Sequence, residues 1–133
     1  MEKYKNSDQK FSVRRRFSSF RYAWEGIVSF FREEHNARIH LVSSIIAIGL
    51  SYFLKISLRE WFAILLSICF VFVCELFNTA LENVCDMISK EEHQAIKKAK
   101  DQAAAAVLIA SVFALIIGVV VFLPKILDFV GGG

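Results

Sequence analysis

The sequence predicts an all-α membrane protein with one N-terminal amphipathic interfacial helix and three transmembrane helices. Of its 133 residues, 56% are hydrophobic, 13 are Phe and one is Pro, and the mean hydropathy is +0.48. This composition is too apolar for an ordinary soluble domain of this length. Three runs contain no Lys, Arg, Asp or Glu: 39–54, 61–74 and 102–123.

The N-terminal region is predicted to consist of a mobile polar segment, 1–13, and an interfacial helix at about 14–36. Aromatic and aliphatic residues alternate there with arginines, the pattern of a helix lying in the plane of the membrane surface. The alternative is a basic arm that binds nucleic acid. We favour the membrane and expect no nucleic-acid partner, because the apolar face is large and leads directly into a span.

The spans are predicted at about 39–56, 60–88 and 99–126, within one integral-membrane domain at 14–130. Residues 131–133 are interpreted as a tail or an expression remnant. A spanning helix needs roughly 20 apolar residues, and only the third run reaches that length alone. The first run is completed through Lys55, whose aliphatic stem can snorkel, and the second only through Glu75, Asn78 and Glu82.

The distribution of Lys and Arg predicts the orientation. Nine of these residues precede the first span and four lie in the loop before the third, whereas the opposite side carries three. By the positive-inside rule the N-terminus and the second loop are cytoplasmic. The acidic end of the second span therefore meets the cytoplasmic surface.

A polar stripe occupies that acidic end. Residues spaced three, four, seven and eleven apart share one helix face, which places Glu75, Asn78, Thr79, Glu82 and Asp86 together. The stripe could be interhelical glue, worth about a kcal/mol or less per hydrogen bond. However, several acids on one face repel each other unless a cation is present, and oxygen ligands favour Mg²⁺.

Further charged residues are predicted at the same cytoplasmic level. Glu33 and Glu34 precede the first span, and Lys100 and Asp101 open the third, before the alanine tract at 103–106. Beside an acidic magnesium site, Lys100 and Asp101 become candidates for phosphate contacts. The sequence has no glycine-rich phosphate loop, so a nucleotide would be held differently from the P-loop and protein-kinase designs.

Together these residues resemble the small prokaryotic membrane lipid kinases, the diacylglycerol kinase and undecaprenol kinase family. The segment from Glu75 to Asp86 is similar to the family's E-x-x-N-[ST]-A-x-E helix with Asp four residues on. The Lys100-Asp101 pair and the Glu34-x-Asn36-x-Arg38-Ile39-His40 stretch fall in the family's order and spacing. The resemblance covers about 14–126.

The resemblance implies ATP-dependent phosphorylation of a lipid alcohol in the bacterial cytoplasmic membrane, by a homotrimer with sites shared between subunits. It implies that Glu75 is the general base and that Asn78 orients the site. Glu34 and Glu82 would hold Mg²⁺ and the ATP phosphates. The remaining nucleotide contacts would come from Arg15, Tyr22, Glu91, His93, Lys100 and Asp101. A base that meets an amphiphile's hydroxyl belongs where Glu75 lies, about two turns inside Glu82.

The substrate expected first is undecaprenol. The diacylglycerol-specific branch typically has a serine soon after the Lys-Asp pair, where this chain has Ala104, and the Glu34–His40 stretch is similar to the undecaprenol branch. Diacylglycerol is the alternative. Two other classes remain open: a non-enzymatic multispan scaffold, and an ion or proton pathway through Glu75 and Glu82. The role of Asp86 is left open.

Overall fold

A computed structural model of the chain describes residues 13–88 and 93–132, with side chains from residue 17 onward. It contains four helices, α1 (Val13–Glu33), α2 (His35–Phe53), α3 (Leu58–Ile88) and α4 (Gln94–Val130), and no strand within those described ranges. The predicted all-α class is therefore confirmed. The predicted polar segment falls outside the described residues, apart from Val13.

Short connections separate the helices. Glu34 is extended, with φ −91° and ψ 121°, and it alone divides α1 from α2. The turn before α3 contains Lys55 at φ 49°, and the Ser57 amide donates to Glu60 Oε2 at 2.6 Å while the Glu60 amide donates to Ser57 Oγ at 3.4 Å. This reciprocal pair is a capping box, which fixes the start of α3.

Helices α3 and α4 form the main antiparallel pair. At one end Lys100 Nζ lies 2.8 Å from Asp86 Oδ1, and at the other Lys125 Nζ lies 3.3 Å from Glu60 Oε2. Between these ion pairs a buried cluster contains Ile64 of α3 and Val121 of α4. The two ion pairs and the cluster define one register along the whole pair.

Helix α2 packs on this pair through small residues. Ala37, Ser44 and Ser51 are its buried positions, and small side chains let helix backbones approach closely. At the other end of α2, the rings of Phe53 and Phe129 lie 5.6 Å apart and join α2 to α4. The result is a three-helix bundle in which α2 contacts both partners.

Two helices, α3 and α4, are long and apolar enough to cross a membrane, and only 22% and 11% of their most apolar windows are buried. Their apolar surface is thus exposed, unlike that of a core helix in a soluble protein. Helix α2 does not meet the same criterion within the described residues, so the predicted span at 39–56 stays a prediction. The large side chains Phe17, Phe20 and Trp24 of α1 are exposed.

Candidate active site

The polar stripe of α3 runs from the buried interior to an exposed end. Glu75 and Asn78 are buried, with exposed fractions of 2% and 8%, Glu82 is half-buried, and Asp86 is exposed. A carboxyl group with so little exposure is costly at membrane depth unless it is paired or functional. The inner end of the stripe is therefore the feature that most needs a chemical explanation.

Asn78 is hydrogen-bonded to the outer of the two glutamates of the stripe. Its Nδ2 donates to Glu82 Oε1 at 3.3 Å, one helical turn towards the C-terminal end of α3. That bond leaves Asn78 Oδ1 buried without a hydrogen-bond partner, and Glu75 Oε2 is in the same condition. A buried polar atom left unpaired costs about 1–3 kcal/mol. Two unpaired acceptors in one place indicate that a hydrogen-bond donor belongs there.

Helix α2 supplies the other neighbours of Glu75. The side chains of Asn36 and His40 are both close enough to its carboxyl group for an electrostatic interaction. Both residues lie in the sequence stretch that carries the family resemblance, but no role was predicted for either. The available signal was their spacing of four, which places them on one face of α2.

The predicted metal residues approach the same position. The charges of Glu34 and Glu82 both interact with Glu75, so three acids from α3 and the α1–α2 connection share this region. Across residues 13–88 and 93–132, no three His, Cys, Asp or Glu side chains form a ready-made metal cluster. A cation held by Glu34 and Glu82 would need additional ligands, such as phosphate oxygens.

At the C-terminal end of α3, Lys100 binds Asp86, with 34% of the lysine and 65% of the aspartate side chain exposed. Asp86, whose role the sequence left open, thus holds Lys100 beside the stripe. Asp101 points elsewhere and pairs with Lys97 at 3.5 Å on the exposed surface. The structure therefore brings Lys100, but not Asp101, against an acid of α3.

Among the residues whose side chains the structure describes, the others predicted to contact the nucleotide are not seen in contact with the polar stripe of α3. Tyr22 is exposed on α1, where the Arg21 guanidinium lies 5.1 Å from its ring centroid. His93 caps α4 by accepting a hydrogen bond from the Ala95 amide at 3.3 Å. Glu91 and the side chain of Arg15 lie outside the described part of the structure.

An open groove of about 460 Å³ lies between α1 and the C-terminal half of α3. Its lining includes Gly26, Phe30 and Glu34 from the N-terminal part, and Leu76, Thr79 and Asn83 from α3. Phe31 of α1 and Phe72 of α3 make an edge-to-face contact with ring centroids 5.6 Å apart. The groove combines a largely apolar lining with two acidic residues, Glu33 and Glu34, which suits an amphiphilic ligand.

A helical protein with two membrane-capable helices, a buried acid and a lysine–aspartate pair at one end of those helices fits the class of membrane-embedded phosphotransferases. A family model described as prokaryotic diacylglycerol kinase matches residues 21–122. The chain belongs to this family, and it is a phosphotransferase with an alcohol group as acceptor.

The chain is similar to relatives named undecaprenol kinase and to relatives named diacylglycerol kinase. The undecaprenol kinase of Bacillus subtilis (strain 168) is 36% identical over 121 residues, which cover 91% of this chain and 98% of the relative. The diacylglycerol kinase of Synechocystis is 39% identical over 111 residues, 83% of this chain and 63% of that longer relative. The diacylglycerol kinase of Escherichia coli (strain K12) is 32% identical over 95 residues, 71% of this chain and 78% of the relative.

Proposed function

We propose that this protein is an ATP- and magnesium-dependent lipid kinase that phosphorylates the hydroxyl of a membrane lipid alcohol at the cytoplasmic interface. The observation that carries the proposal is the Glu75 carboxyl group, buried to 2% exposure with Oε2 unpaired. A base in this position is shielded from water yet lies on a helix that borders lipid. It can meet a hydroxyl that arrives with its lipid chain.

In this mechanism Glu75 is the general base. The O–H bond of the lipid alcohol breaks and its proton moves to Glu75, while the alcohol oxygen forms a bond to the γ-phosphorus of ATP. The bond from that phosphorus to the β–γ bridging oxygen breaks, and ADP leaves with the electron pair. Phosphoryl transfer depends mostly on positioning and charge neutralisation, so Asn78 serves by orienting Glu82 through its 3.3 Å hydrogen bond.

Mg²⁺ fits the residues present. The carboxylates of Glu34 and Glu82 are hard oxygen donors near a third acid, Glu75, and like charges gathered at one place favour a divalent cation. When bound, Mg²⁺ would neutralise phosphate charge, and the ATP phosphates would supply its remaining ligands. Lys100, held by Asp86, is the residue proposed to contact the phosphates, with Arg15, Tyr22, Glu91, His93 and Asp101 as further candidates.

The proposed arrangement in the cell follows the charge distribution. Helix α2 is proposed to span the membrane in addition to α3 and α4, the N-terminus is proposed as cytoplasmic, and the location as the bacterial inner membrane. The homotrimer with shared sites is also a proposal. It is supported by the extensive apolar surface that α2, α3 and α4 leave exposed, including Ile45, Phe62 and Leu115, because such surface can face lipid or neighbouring subunits.

Undecaprenol is the proposed substrate. It is supported by Ala104 within the alanine tract and by the coverage of nearly the whole undecaprenol kinase of B. subtilis. Diacylglycerol is the second candidate, favoured by the 39% identity to the Synechocystis relative.

A kinase assay with radiolabelled ATP and a panel of purified lipid alcohols in mixed micelles tests the proposal. Label is expected in the lipid product only when Mg²⁺ is present. The absence of both lipid labelling and magnesium-dependent ATP binding would instead support a scaffold or an ion pathway.

A further inference from the structure

Three buried side-chain atoms of the described residues have no hydrogen-bond partner. Two are Glu75 Oε2 and Asn78 Oδ1 of the stripe, and the third is Ser111 Oγ in the middle of α4. Neither the sequence motifs nor the proposed mechanism assigns a role to Ser111. Because buried polar groups are almost always paired in proteins, the location of this third atom relative to the other two is informative.

The register of α3 and α4 places Ser111 at the level of Glu75. The ion pairs Lys100–Asp86 and Lys125–Glu60 show that each step towards the C-terminus of α4 matches one step towards the N-terminus of α3. Counting inward from the Lys100–Asp86 pair sets Ser111 opposite Glu75. Counting inward from the Lys125–Glu60 pair sets the neighbouring Ala110 there. Ala110 is buried with 1% exposure, as this position against α3 requires.

The helical repeat shows that Ser111 lies on the side of α4 that borders α2. Eleven and eighteen residues are close to three and five complete turns, so Ser111, Phe122 and Phe129 project from the same side. Phe129 contacts Phe53 of α2, and both Phe122 and Ala47 of α2 pack against the same buried cluster. Glu75 faces α2 as well, through Asn36 and His40. Both side chains therefore border the junction of α2, α3 and α4.

The Ser111 hydroxyl is also exceptional among the serines of the membrane helices. Ser43, Ser44 and Ser51 donate to the carbonyl oxygens four residues earlier at 2.7–3.0 Å, and Ser67 donates to Ile64 O at 2.8 Å. Such bonds to the helix's own backbone are the usual solution for a serine in an apolar helix. Ser111 Oγ makes no such bond, so its donor is available to a ligand.

We propose that Ser111 binds the acceptor lipid, donating a hydrogen bond to the same alcohol oxygen whose proton is directed to Glu75 Oε2. This inference rests on the proposed function and adds a residue of α4 to the site. A hydroxyl group can accept one hydrogen bond at its oxygen while its O–H donates another. The single hydroxyl of the lipid alcohol would therefore pair with both Ser111 Oγ and Glu75 Oε2. Ser111 would then fix the direction in which the alcohol presents its proton.

The test uses the full-length chain and an isosteric pair of variants, Ser111→Thr and Ser111→Val. The threonine keeps the hydroxyl and the valine removes it at nearly the same volume. For Ser111→Val we expect the KM for the lipid alcohol to rise about 2- to 12-fold, the effect of losing one typical hydrogen bond, with the KM for ATP unchanged. Ser111→Thr should remain within about twofold of wild type.

Ser67→Thr and Ser67→Val are the matched controls, since Ser67 is similarly half-buried but its hydroxyl is already bonded to the backbone. Equal lipid KM values for the two Ser111 variants would overturn the inference, as would a parallel rise in the KM for ATP. If both branched variants fail to assemble, Ser111→Ala gives the same comparison.

A binding measurement separates this inference from the proposed function. Undecaprenol and dioleoylglycerol are added separately to the protein in micelles, and the rise in Tm is recorded without ATP. If wild type is stabilised, Ser111→Val is not, and no phosphate is transferred, then the kinase proposal fails and the Ser111 site stands. If phosphate is transferred but the lipid raises the Tm of wild type and of Ser111→Val equally, the kinase proposal stands and the Ser111 site fails.

Discussion

Asp86 of α3 and Lys100 of α4 are fourteen residues apart in the chain, yet Lys100 Nζ lies 2.8 Å from Asp86 Oδ1. The pair crosses from one membrane-capable helix to the next at the exposed end of the polar stripe. Lys100 is therefore held in place by a contact within the protein. A lysine that is already positioned loses less side-chain entropy when it contacts a phosphate.

Lys100→Met is expected to raise the KM for ATP by about tenfold or more, because a charge-assisted contact to phosphate is lost. Stability should change little, since the pair is partly exposed to solvent and exposed ion pairs contribute little to folding. Nucleotide titration and thermal unfolding on one preparation check both expectations. Lys98→Met, at a neighbouring exposed position, is the control. Equal ATP affinity in the two variants would remove Lys100 from the nucleotide site.

Asp86→Asn tests whether Asp86 acts through Lys100. We expect a smaller rise in the KM for ATP than in Lys100→Met, because the lysine keeps its charge but loses its partner. In the double variant the two effects should not add, since both act on one contact. A double-mutant cycle on ATP affinity measures this coupling, and simple additivity would show that Asp86 has a separate role.

Glu75→Gln should retain subunit assembly and magnesium–ATP binding but lose about 10² to 10⁴ in kcat, because an amide fills the space without accepting the alcohol's proton. The kcat, the ATP affinity and the oligomer size are measured together. Glu60→Gln, which alters an acid at the opposite end of α3, is the control for general effects of removing a carboxylate. Turnover above about a tenth of wild type in Glu75→Gln would exclude general-base catalysis by Glu75.

Glu82→Gln should weaken ATP binding strongly in the presence of Mg²⁺ and much less in its absence, since one hard anionic ligand is removed. The hydrogen bond from Asn78 to Oε1 can survive, because the glutamine amide retains an acceptor oxygen, so folding should suffer little. Titration with and without Mg²⁺ makes the comparison. If Glu82→Gln leaves the affinity for ATP unchanged both with and without Mg²⁺, Glu82 has a structural role in helix packing and does not bind the metal.

Undecaprenol should be phosphorylated with a higher kcat/KM than diacylglycerol in the same micelles. The physical basis is the small-residue tract of α4 around Ala104, which leaves space and offers no hydroxyl to a glycerol headgroup. Competition between the two lipids for limiting enzyme measures the ratio directly. A preference for diacylglycerol would reverse the substrate order and leave the kinase assignment intact.

The sequence predicted the features that depend on a single helix. The buried face with Glu75 and Asn78 follows from the helical period, and the observed bond from Asn78 to Glu82 has the spacing of four that this period allows. The structure adds that α1 ends at Glu33 and that α2 begins at His35, since polar residues before an apolar run can be helical without being apolar.

Features that depend on two helices could not be predicted. The Asp86–Lys100 pair requires the register of α3 against α4, and the approach of Asn36 and His40 to Glu75 requires the rotation of α2 about its own axis. Ser111 gave no signal at all, since one serine in an apolar helix is common. Its significance depends on the missing backbone bond and on which side of α4 it occupies.

The two lysines of α4 that pair with α3 also mark a length of helix that can be compared with the thickness of the bilayer. From Lys100 to Lys125 the helix rises about 37 Å, compared with a hydrocarbon core of about 30 Å, and both ends are fastened to acids of α3. Sliding of one helix past the other would break both ion pairs, so we expect a thinner membrane to be accommodated by tilting of the pair or by local thickening of the lipid. The depth of Glu75 in the membrane then depends on membrane thickness as well as on the protein.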